Sequence, residues 1–184
     1  MRKWLPLLLL PFLLASSINI ERGRRVAERI EKIKKESHRK IKLFLKKETF
    51  SEEDINSYLL YVLNSRRAEN RDIKVERAWI RIKENSFNLS LVFRMKRPIP
   101  MLQLELQPAG TTIISLDFQL EQKEGFYRIK PLRLRIGNYE VPERAVYDFL
   151  TLFNIKELPV YNWRRLPYGI KRIKQRRGSV TVYY

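Results

Sequence analysis

The sequence predicts an α+β fold in which a curved antiparallel β-meander wraps around a long amphipathic helix, followed by a second helix and a C-terminal hairpin. Three observations predict it. A strong helix start at residues 50–55 opens a run of apolar residues at helical spacing. From residue 73 to residue 136 apolar and polar residues alternate instead, which is typical of half-buried strands. Near residues 170–183, two short alternating runs flank a glycine turn.

The helix at residues 50–63 begins with a capping box. The Ser51 hydroxyl can accept a hydrogen bond from the backbone of Asp54, and the Asp54 carboxylate can accept one from the backbone of Ser51. Phe50 and Ile55 stand at the two positions of a hydrophobic staple. Helical spacing then predicts one broad apolar face, formed by Ile55, Tyr58, Leu59, Val62 and Leu63.

The alternating region predicts a meander of successive antiparallel strands. A change of face near Arg77 predicts a bulge in the first strand. Turn signals separate the strands at residues 98–100, 108–110, 124–125 and 137–138. The predicted strands cover residues 73–83, 87–95, 102–106, 114–120 and 132–136.

Two more elements complete the predicted domain. Residues 141–154 carry a helical apolar stripe, and Pro142 suits the first helical turn. The hairpin has arms at residues 170–175 and 179–183, joined by a turn at residues 177–178. The stripe of the second helix contains Val146, Phe149, Leu150 and Phe153.

Residues 1–17 are similar to a secretory signal. Arg2 and Lys3 precede a leucine-rich apolar run, and the small residues 15–17 follow it. Cleavage after Ser17 is the first interpretation. An uncleaved membrane anchor is the second, because the basic residues that follow oppose transfer of the segment across a membrane; a buried core segment is the third. Ser17 also stands where a lipoprotein signal needs cysteine, which excludes lipid anchoring there.

Residues 18–47 predict a basic lead helix. Its helical part is expected from residue 24 to residue 47, with a narrow apolar stripe. Such a helix can dock on its own domain with its basic face exposed to solvent, or it can lie on anionic lipid. Residues 48–184 are then expected to form a single α+β domain. The apolar stripe of the lead helix consists of Val26, Ile30, Ile33, Ser37, Ile41 and Phe44.

The positive charge is concentrated in two regions. The formal net charge is +18, and residues 18–47 carry 12 basic and 4 acidic side chains. Residues 161–184 carry 7 basic and no acidic side chains, whereas residues 48–160 are nearly neutral. This distribution predicts an anionic membrane surface or a nucleic acid as partner; charges that only keep the protein soluble are the alternative. The residues expected at a membrane surface are Arg22, Arg24, Arg25, Arg29, Arg164, Arg165, Lys171, Arg172, Lys174, Arg176 and Arg177.

The residue types argue against an enzyme. Cysteine is absent and His38 is the single histidine, which excludes thiol chemistry, disulfides and histidine-rich metal sites. No phosphate-binding loop, nucleophile elbow or metal-binding helix motif occurs. Helix capping explains the acidic residues 52–54, and Asp117 falls on the polar side of a strand. We therefore expect no catalytic residues, no cofactor and no metal.

Binding of a lipid or another amphiphile uses more of the chain than any other function. A helix with a wide apolar face beside a curling sheet can leave an elongated apolar groove, which suits an acyl chain. Basic ends attract anionic head groups. The alternative is that the same apolar rows pack tightly, because periodicity alone does not separate a groove from a filled core. The candidate groove residues are Tyr58, Leu59, Val62, Phe87, Leu89, Leu91, Phe93, Leu116, Phe118, Phe149 and Phe153.

Two other functions fit parts of the sequence. A basic envelope scaffold or interaction protein with a filled core would use the charged ends alone. A single-stranded nucleic-acid binder would combine Tyr161, Trp163 and Tyr168 with Arg164 and Arg165 for stacking and phosphate contact. No recognised nucleic-acid motif is present, and the signal-like start points to another compartment. Nucleic acid is therefore the least expected partner, and the sequence leaves the oligomeric state open.

The order of elements resembles a known family. A signal-like start and a basic lead helix precede a helix opened by Phe-Ser-Glu-Glu-Asp-Ile-Asn-Ser-Tyr-Leu. A Phe-Asn-Leu-Ser-Leu strand, a helix begun by Val-Pro-Glu and a Gly-Ser-Val-Thr-Val strand follow. Residues 48–184 are similar in layout to bacterial envelope proteins of the tubular lipid-binding (TULIP-like) group, of the phospholipid-binding type. The resemblance implies a helix cradled by a strongly curved sheet, an apolar cavity, lipid binding without catalysis, and an exported, periplasmic or cell-envelope location.

Overall fold

A computed structural model gives the architecture of residues 5–37, 44–65, 73–95, 99–101, 104–106, 110–143, 145–146 and 162–184. Helices α1 (Leu5–Ser37) and α2 (Glu52–Ser65) pack with a curled antiparallel sheet, and smaller sheets accompany it. The predicted α+β class, a long helix with a curved meander, is confirmed. In chain order the strands are β1 (Lys47–Ser51), β2 (Ile73–Ile82), β3 (Phe87–Met95), β4 (Ile99–Met101), β5 (Leu104–Leu106), β6 (Gly110–Lys123), β7 (Phe126–Ile136), β8 (Tyr139–Val141), β9 (Arg164–Arg165), β10 (Arg172–Arg176) and β11 (Ser179–Tyr183).

The main sheet has the strand order β2-β3-β6-β7-β8, and β9 pairs with the first part of β7. Neighbouring strands are antiparallel, so cross-strand partners share a face. Leu89 on β3 is opposite Ile80 on β2 and Leu116 on β6, and Leu116 is opposite Leu134 on β7. We call the face that carries this row the apolar face and the opposite one the outer face.

Two irregularities bend the main sheet. The β2–β3 register shifts between Val75 and Arg77, which confirms the predicted bulge. A second shift lies opposite residues 117–118 of β6, and on β7 it leaves Leu132 outside the register and 49% exposed. Leu132 therefore does not share the apolar face with Leu134 and Ile136, as strict alternation over the predicted strand at residues 132–136 implies, because alternation of residue types does not reveal an inserted residue.

The predicted C-terminal hairpin is confirmed as β10 and β11, which form a sheet of order β1-β11-β10. Glutamine side chains tie this sheet to the main one. Gln175 Nε2 donates to the carbonyl oxygens of Lys83 and Ser86 at 2.8 and 2.9 Å. Gln122 accepts from the backbone N–H of Ile173 at 2.7 Å and donates to its carbonyl at 2.6 Å. The two sheets are therefore joined by side-chain amides at their edges.

Helix α2 begins as predicted. The Asp54 N–H donates to Ser51 Oγ, and the Ser51 N–H donates to Asp54 Oδ2, both at 3.0 Å. Phe50 and Ile55 lie in one apolar cluster, as a hydrophobic staple requires. These contacts span a few residues, which is why the local pattern was sufficient to predict them.

Helix α2 covers the free edge of β2 with polar side chains. Asn56 Nδ2 donates to the Ile80 carbonyl at 3.0 Å, and the Ile80 N–H donates to Asn56 Oδ1 at 2.6 Å. One turn earlier, the Ile82 N–H donates to Glu52 Oε2 at 2.6 Å. An edge strand otherwise leaves such backbone groups unpaired. These bonds also show that α2 runs along the edge of β2 from Ile82 toward Ala78.

We expect Asn56→Ala to lower the free energy of unfolding by about 2 kcal/mol, because two hydrogen bonds to a half-buried edge are lost. The backbone amide of Ile80 should also exchange faster with deuterium. Asn64→Ala on the same helix is the matched control, since Asn64 is exposed; its effect should stay within about 0.5 kcal/mol. Equal effects of the two substitutions in urea denaturation would contradict the edge-covering role.

Helix α1 crosses α2 at Gly23, where a side chain would not fit. A Cβ atom there would lie 2.2 Å from the Ser57 carbonyl oxygen and 2.7 Å from the Tyr61 Cβ atom. Farther along α1, Val26 and Ile33 are buried in a cluster with residues of β1 and β11. The lead helix is therefore docked on its own domain, which was one of its two predicted placements.

The predicted C-terminal end of the lead helix is wrong. Helix α1 ends at Ser37, and Lys47–Ser51 is a strand that pairs with β11. Phe44 was assigned to the apolar stripe by its spacing, but it is 84% exposed. The backbone N–H and carbonyl of Lys46 bond to those of Tyr184 at 2.9 Å, so strand pairing already holds this segment. The partner strand lies far along the sequence, and helical spacing could not reveal it; Ile41 falls outside the described residues.

The prediction of a meander strand at residues 102–106 is also wrong. Strand β6 pairs directly with β3, and β5 pairs with β4 in a separate two-stranded sheet. Met95 at the end of β3 is opposite Gly110 at the start of β6. The chain therefore leaves the main sheet after Met95 and returns to it at Gly110, directly opposite Met95. Alternation predicted strand structure here but not the pairing partner.

Candidate functional site

One end of the apolar face is closely packed. Cluster 1 consists of the buried residues Phe93, Ile114, Leu116, Leu134, Ile136, Val141 and Val146. The candidate groove residues Phe93 and Leu116 are 6% and 8% exposed within it, and Leu91 packs against it. Ala145 and Val146 are helical, while the rest of the predicted helix at residues 141–154 lies largely outside the described residues.

The other end of the apolar face is packed as well. Cluster 2 consists of the buried residues Val26, Ile33, Phe50, Ile82, Phe87, Val180, Val182 and Tyr184. The Phe87 ring stacks on the Phe118 ring with centroids 5.2 Å apart. Phe118 contacts both clusters, and Tyr58 of α2 packs against cluster 2. The sheet and both helices therefore meet at this end.

Between the clusters, the apolar face carries side chains that are only partly buried. Leu89 lies at the centre of β3, yet it belongs to neither cluster. Leu59 and Val62 on α2 also belong to neither cluster. All three side chains are partly exposed. Among the residues that the structure describes, partly exposed apolar side chains outside both clusters thus lie between two packed ends.

The course of α2 places its second half beside this gap. One helical turn advances about 5.4 Å and two strand residues advance about 6.6 Å, so the helix and β2 stay nearly in step. Asn56 bonds to Ile80, and the next turn reaches Ala78, with which Leu60 lines a common pocket. The apolar stripe of α2 therefore continues from cluster 2 toward the middle of the sheet.

The eleven candidate groove residues consequently divide into groups. Buried within a cluster are Phe87, Phe93 and Leu116. Partly exposed against a cluster are Tyr58, Leu91 and Phe118. Partly exposed and outside both clusters are Leu59, Val62 and Leu89. Phe149 and Phe153 lie outside the described residues.

A pocket of about 540 Å³ opens at the edge of β2, away from the predicted groove. It lies between α1, α2 and β2, and its lining includes Asn19, Glu53, Asn56, Arg77 and Trp79. The described lining contains none of the candidate groove residues. Sequence reasoning missed this pocket because its residues come from three elements with no common spacing.

Two arginines expected at a membrane surface bind acidic residues of the same chain. Arg22 contacts Asp54 at 2.7 Å and Glu53 at 2.5 Å. Arg29 contacts Glu48 at 2.7 Å and Asp54 at 3.4 Å. These ion pairs fasten α1 to β1 and to the start of α2. The arginines therefore contribute to the docking of the lead helix.

The other basic residues expected at a membrane surface are exposed. Arg24 has a long contact of 4.0 Å to Glu21. The Arg172 guanidinium lies 4.4 Å above the Tyr183 ring. Exposed side chains are available to an external partner. The exposed set is Arg24, Arg25, Arg164, Arg165, Lys171, Arg172, Lys174, Arg176 and Arg177.

Within the described ranges, no group of three or more His, Cys, Asp or Glu side chains is placed to hold a metal ion. No helix in the part of the chain that the structure describes has the length and apolar character to span a membrane. Comparisons with protein-family models, curated proteins and solved structures find no match. The similarity to tubular lipid-binding proteins therefore stays a prediction, and the function has to be proposed from the geometry.

Proposed function

We propose that this chain is a non-enzymatic protein of the cell envelope that binds the acyl chain of a lipid, or another amphiphile, on the apolar face of the main sheet. The observation that supports the proposal is the row of partly exposed apolar side chains between clusters 1 and 2. These side chains are Leu89 of β3 and Leu59 and Val62 of α2, which are partly exposed and belong to neither cluster. Apolar side chains left between two packed clusters suit a chain-like apolar ligand better than a compact polar one.

The expected affinity is compatible with this site. Each methylene group removed from water contributes about 0.8 kcal/mol, so ten methylenes contribute roughly 8 kcal/mol. Association costs at least about 4 kcal/mol in lost freedom. A net binding free energy of about 4 kcal/mol corresponds to a dissociation constant near 1 mM for so short a chain. Longer acyl chains should therefore bind markedly more tightly, and no catalytic group is needed.

A basic interaction protein with a filled core is the second candidate. Burial of Phe87, Phe93 and Leu116 favours it, because three predicted groove residues serve as core. In that case the partly exposed leucines would be ordinary incomplete packing. The two functions differ in whether an amphiphile protects Leu89 from solvent.

We expect Leu89→Glu to abolish binding of a soluble fluorescent fatty acid, because a carboxylate would stand on the path of the acyl chain. Its effect on folding should be modest because Leu89 is already partly exposed. Ile113→Glu is the matched control, since Ile113 lies on the outer face and is 48% exposed; it should bind like the unmodified protein. Fluorescence titration gives the affinities, and native mass spectrometry of protein purified without detergent gives the ligand. Equal binding by both variants, or absence of uptake by the unmodified chain, would contradict the proposal.

A further inference from the structure

The outer face of β7 carries a row of basic side chains. Its register with β6 places Phe126, Arg128, Lys130, Arg133 and Arg135 on the side away from the apolar face. Over an extended strand these residues span about 30 Å. Residues 48–160 are nearly neutral as a whole, so this strand is locally more basic than the region to which it belongs.

Strand β9 and the tryptophan that precedes it bring a basic and an aromatic residue beside the start of β7. Arg165 is opposite Phe126, and the Arg128 guanidinium lies 4.8 Å above the Trp163 ring. Phe126 is 45% exposed, Trp163 is 41% exposed, and the bulge residue Leu132 is 49% exposed. We call this set the β7 surface: Phe126, Arg128, Lys130, Leu132, Arg133, Arg135, Trp163 and Arg165.

Acidic neighbours neutralise part of the β7 surface. Arg128 is paired with Glu121 at 2.5 Å, and Arg133 contacts Glu140 at 3.4 Å. Lys130, Arg135 and Arg165 make no ion pair within the residues that the structure covers. Exposed apolar side chains therefore lie among cations that are available to an outside partner.

We propose that the β7 surface docks on an anionic lipid bilayer. Basic residues attract anionic head groups, while Phe126, Leu132 and Trp163 can enter the interface, where amphipathic rings and aliphatic side chains are stabilised. A nucleic acid fits less well, because Arg128 already covers one face of the Trp163 ring and stacking needs an open face. Leu132 also has no charge or hydrogen-bonding group for a phosphate and no aromatic ring on which a base could stack. The docking surface lies opposite the proposed amphiphile site and does not depend on it.

The first test removes two cations from the β7 surface of the full-length chain. Lys130→Gln with Arg165→Gln should weaken cosedimentation with vesicles of phosphatidylcholine and phosphatidylglycerol about 30-fold at low salt. Arg24→Gln with Arg25→Gln removes the same charge from the exposed side of α1 and is the matched control. Its loss should be several-fold smaller. Equal losses from the two double variants would overturn a localised docking surface.

The second test observes Trp163 directly. Trp4→Phe with Trp79→Phe leaves Trp163 as the remaining tryptophan of the three in the chain. Its emission should shift to the blue with the mixed vesicles and be quenched by brominated lipid, with no change on phosphatidylcholine alone. Cosedimentation without a shift would overturn the proposal, and so would tighter binding of a single-stranded oligonucleotide that quenches Trp163 at the same salt. The fatty-acid titration of Leu89→Glu uses no vesicles, so failure of one proposal is separable from failure of the other.

Discussion

Replacing Gly23 with alanine is expected to lower the free energy of unfolding by about 3 kcal/mol and the melting temperature by about 10 °C. The added Cβ atom would stand 2.2 Å from the Ser57 carbonyl oxygen, which is backbone and cannot turn aside. Helix α1 must therefore move away from α2 along their crossing. Alanine favours an isolated helix over glycine by about 1 kcal/mol, so the net loss of stability would be smaller than the cost of the clash itself.

Arg24→Ala is the control for Gly23→Ala. Arg24 is the next residue on α1, and its side chain is 61% exposed. Its replacement should change the free energy of unfolding by less than about 0.5 kcal/mol. Thermal and urea denaturation measure both variants. A Gly23→Ala protein as stable as the unmodified one would show that α1 does not approach α2 at this residue.

Asp54→Ala is expected to cost about 2 kcal/mol of stability, because one carboxylate serves two purposes. It accepts the Ser51 backbone bond of the capping box, and it pairs with Arg22 and Arg29 of α1. Asp54 is 13% exposed, whereas Glu53, which also contacts Arg22, is 65% exposed. Glu53→Ala should therefore cost less than about 0.5 kcal/mol. Similar losses for the two variants would contradict the special position of Asp54.

Asp54 also gives the stability a defined dependence on pH. Burial raises the pKa of its carboxyl, but the backbone bond from Ser51 and the bonds from Arg22 outweigh burial and hold the pKa below its ordinary value of 3.8. A depressed pKa adds stability that is complete above about pH 5 and is lost as the pH falls below that ordinary value. Urea denaturation between neutral pH and pH 3 should show a smaller acid loss in Asp54→Asn than in the unmodified chain. The same loss in both would contradict the assignment.

Local signals predicted the elements whose contacts are local. The capping box of Ser51 and Asp54 closes within four residues, and its two hydrogen bonds are present. The bulge near Arg77 and the closing hairpin also follow from neighbouring residues. Phe44 was misplaced because helical spacing continues by chance beyond the end of α1 toward β1, and β1 is specified by a distant partner. Gly23 carries no such local signal. Glycine is needed there because the backbone of α2 approaches α1 too closely for a side chain.

For the candidate site, the sequence predicted which side of the sheet each residue occupies, but not which residues are covered by other elements. Alternation correctly placed Phe87, Leu89 and Leu116 on one side of the sheet, since period two fixes the face of each residue. It contains no information on which of them another element covers. Phe87 meets β11 and α1 in cluster 2, while Leu89, two residues on, meets neither cluster. Pairing of β7 with β9 places Arg165 opposite Phe126 and brings Trp163 to Arg128, and no local pattern predicts this pairing.

The pairing of β1 with β11 sets the order in which this chain can fold. Thr49 and Thr181 touch across a separation of 132 positions, and closing so long a loop costs entropy before any packing is gained. The β2–β3 and β6–β7 hairpins close over short turns and can form early. Cluster 2 needs residues from the N-terminal elements α1 and β1 and from the C-terminal strand β11, and it is therefore completed late. During synthesis, the lead helix has no finished surface to dock on until residues 179–183 have been made.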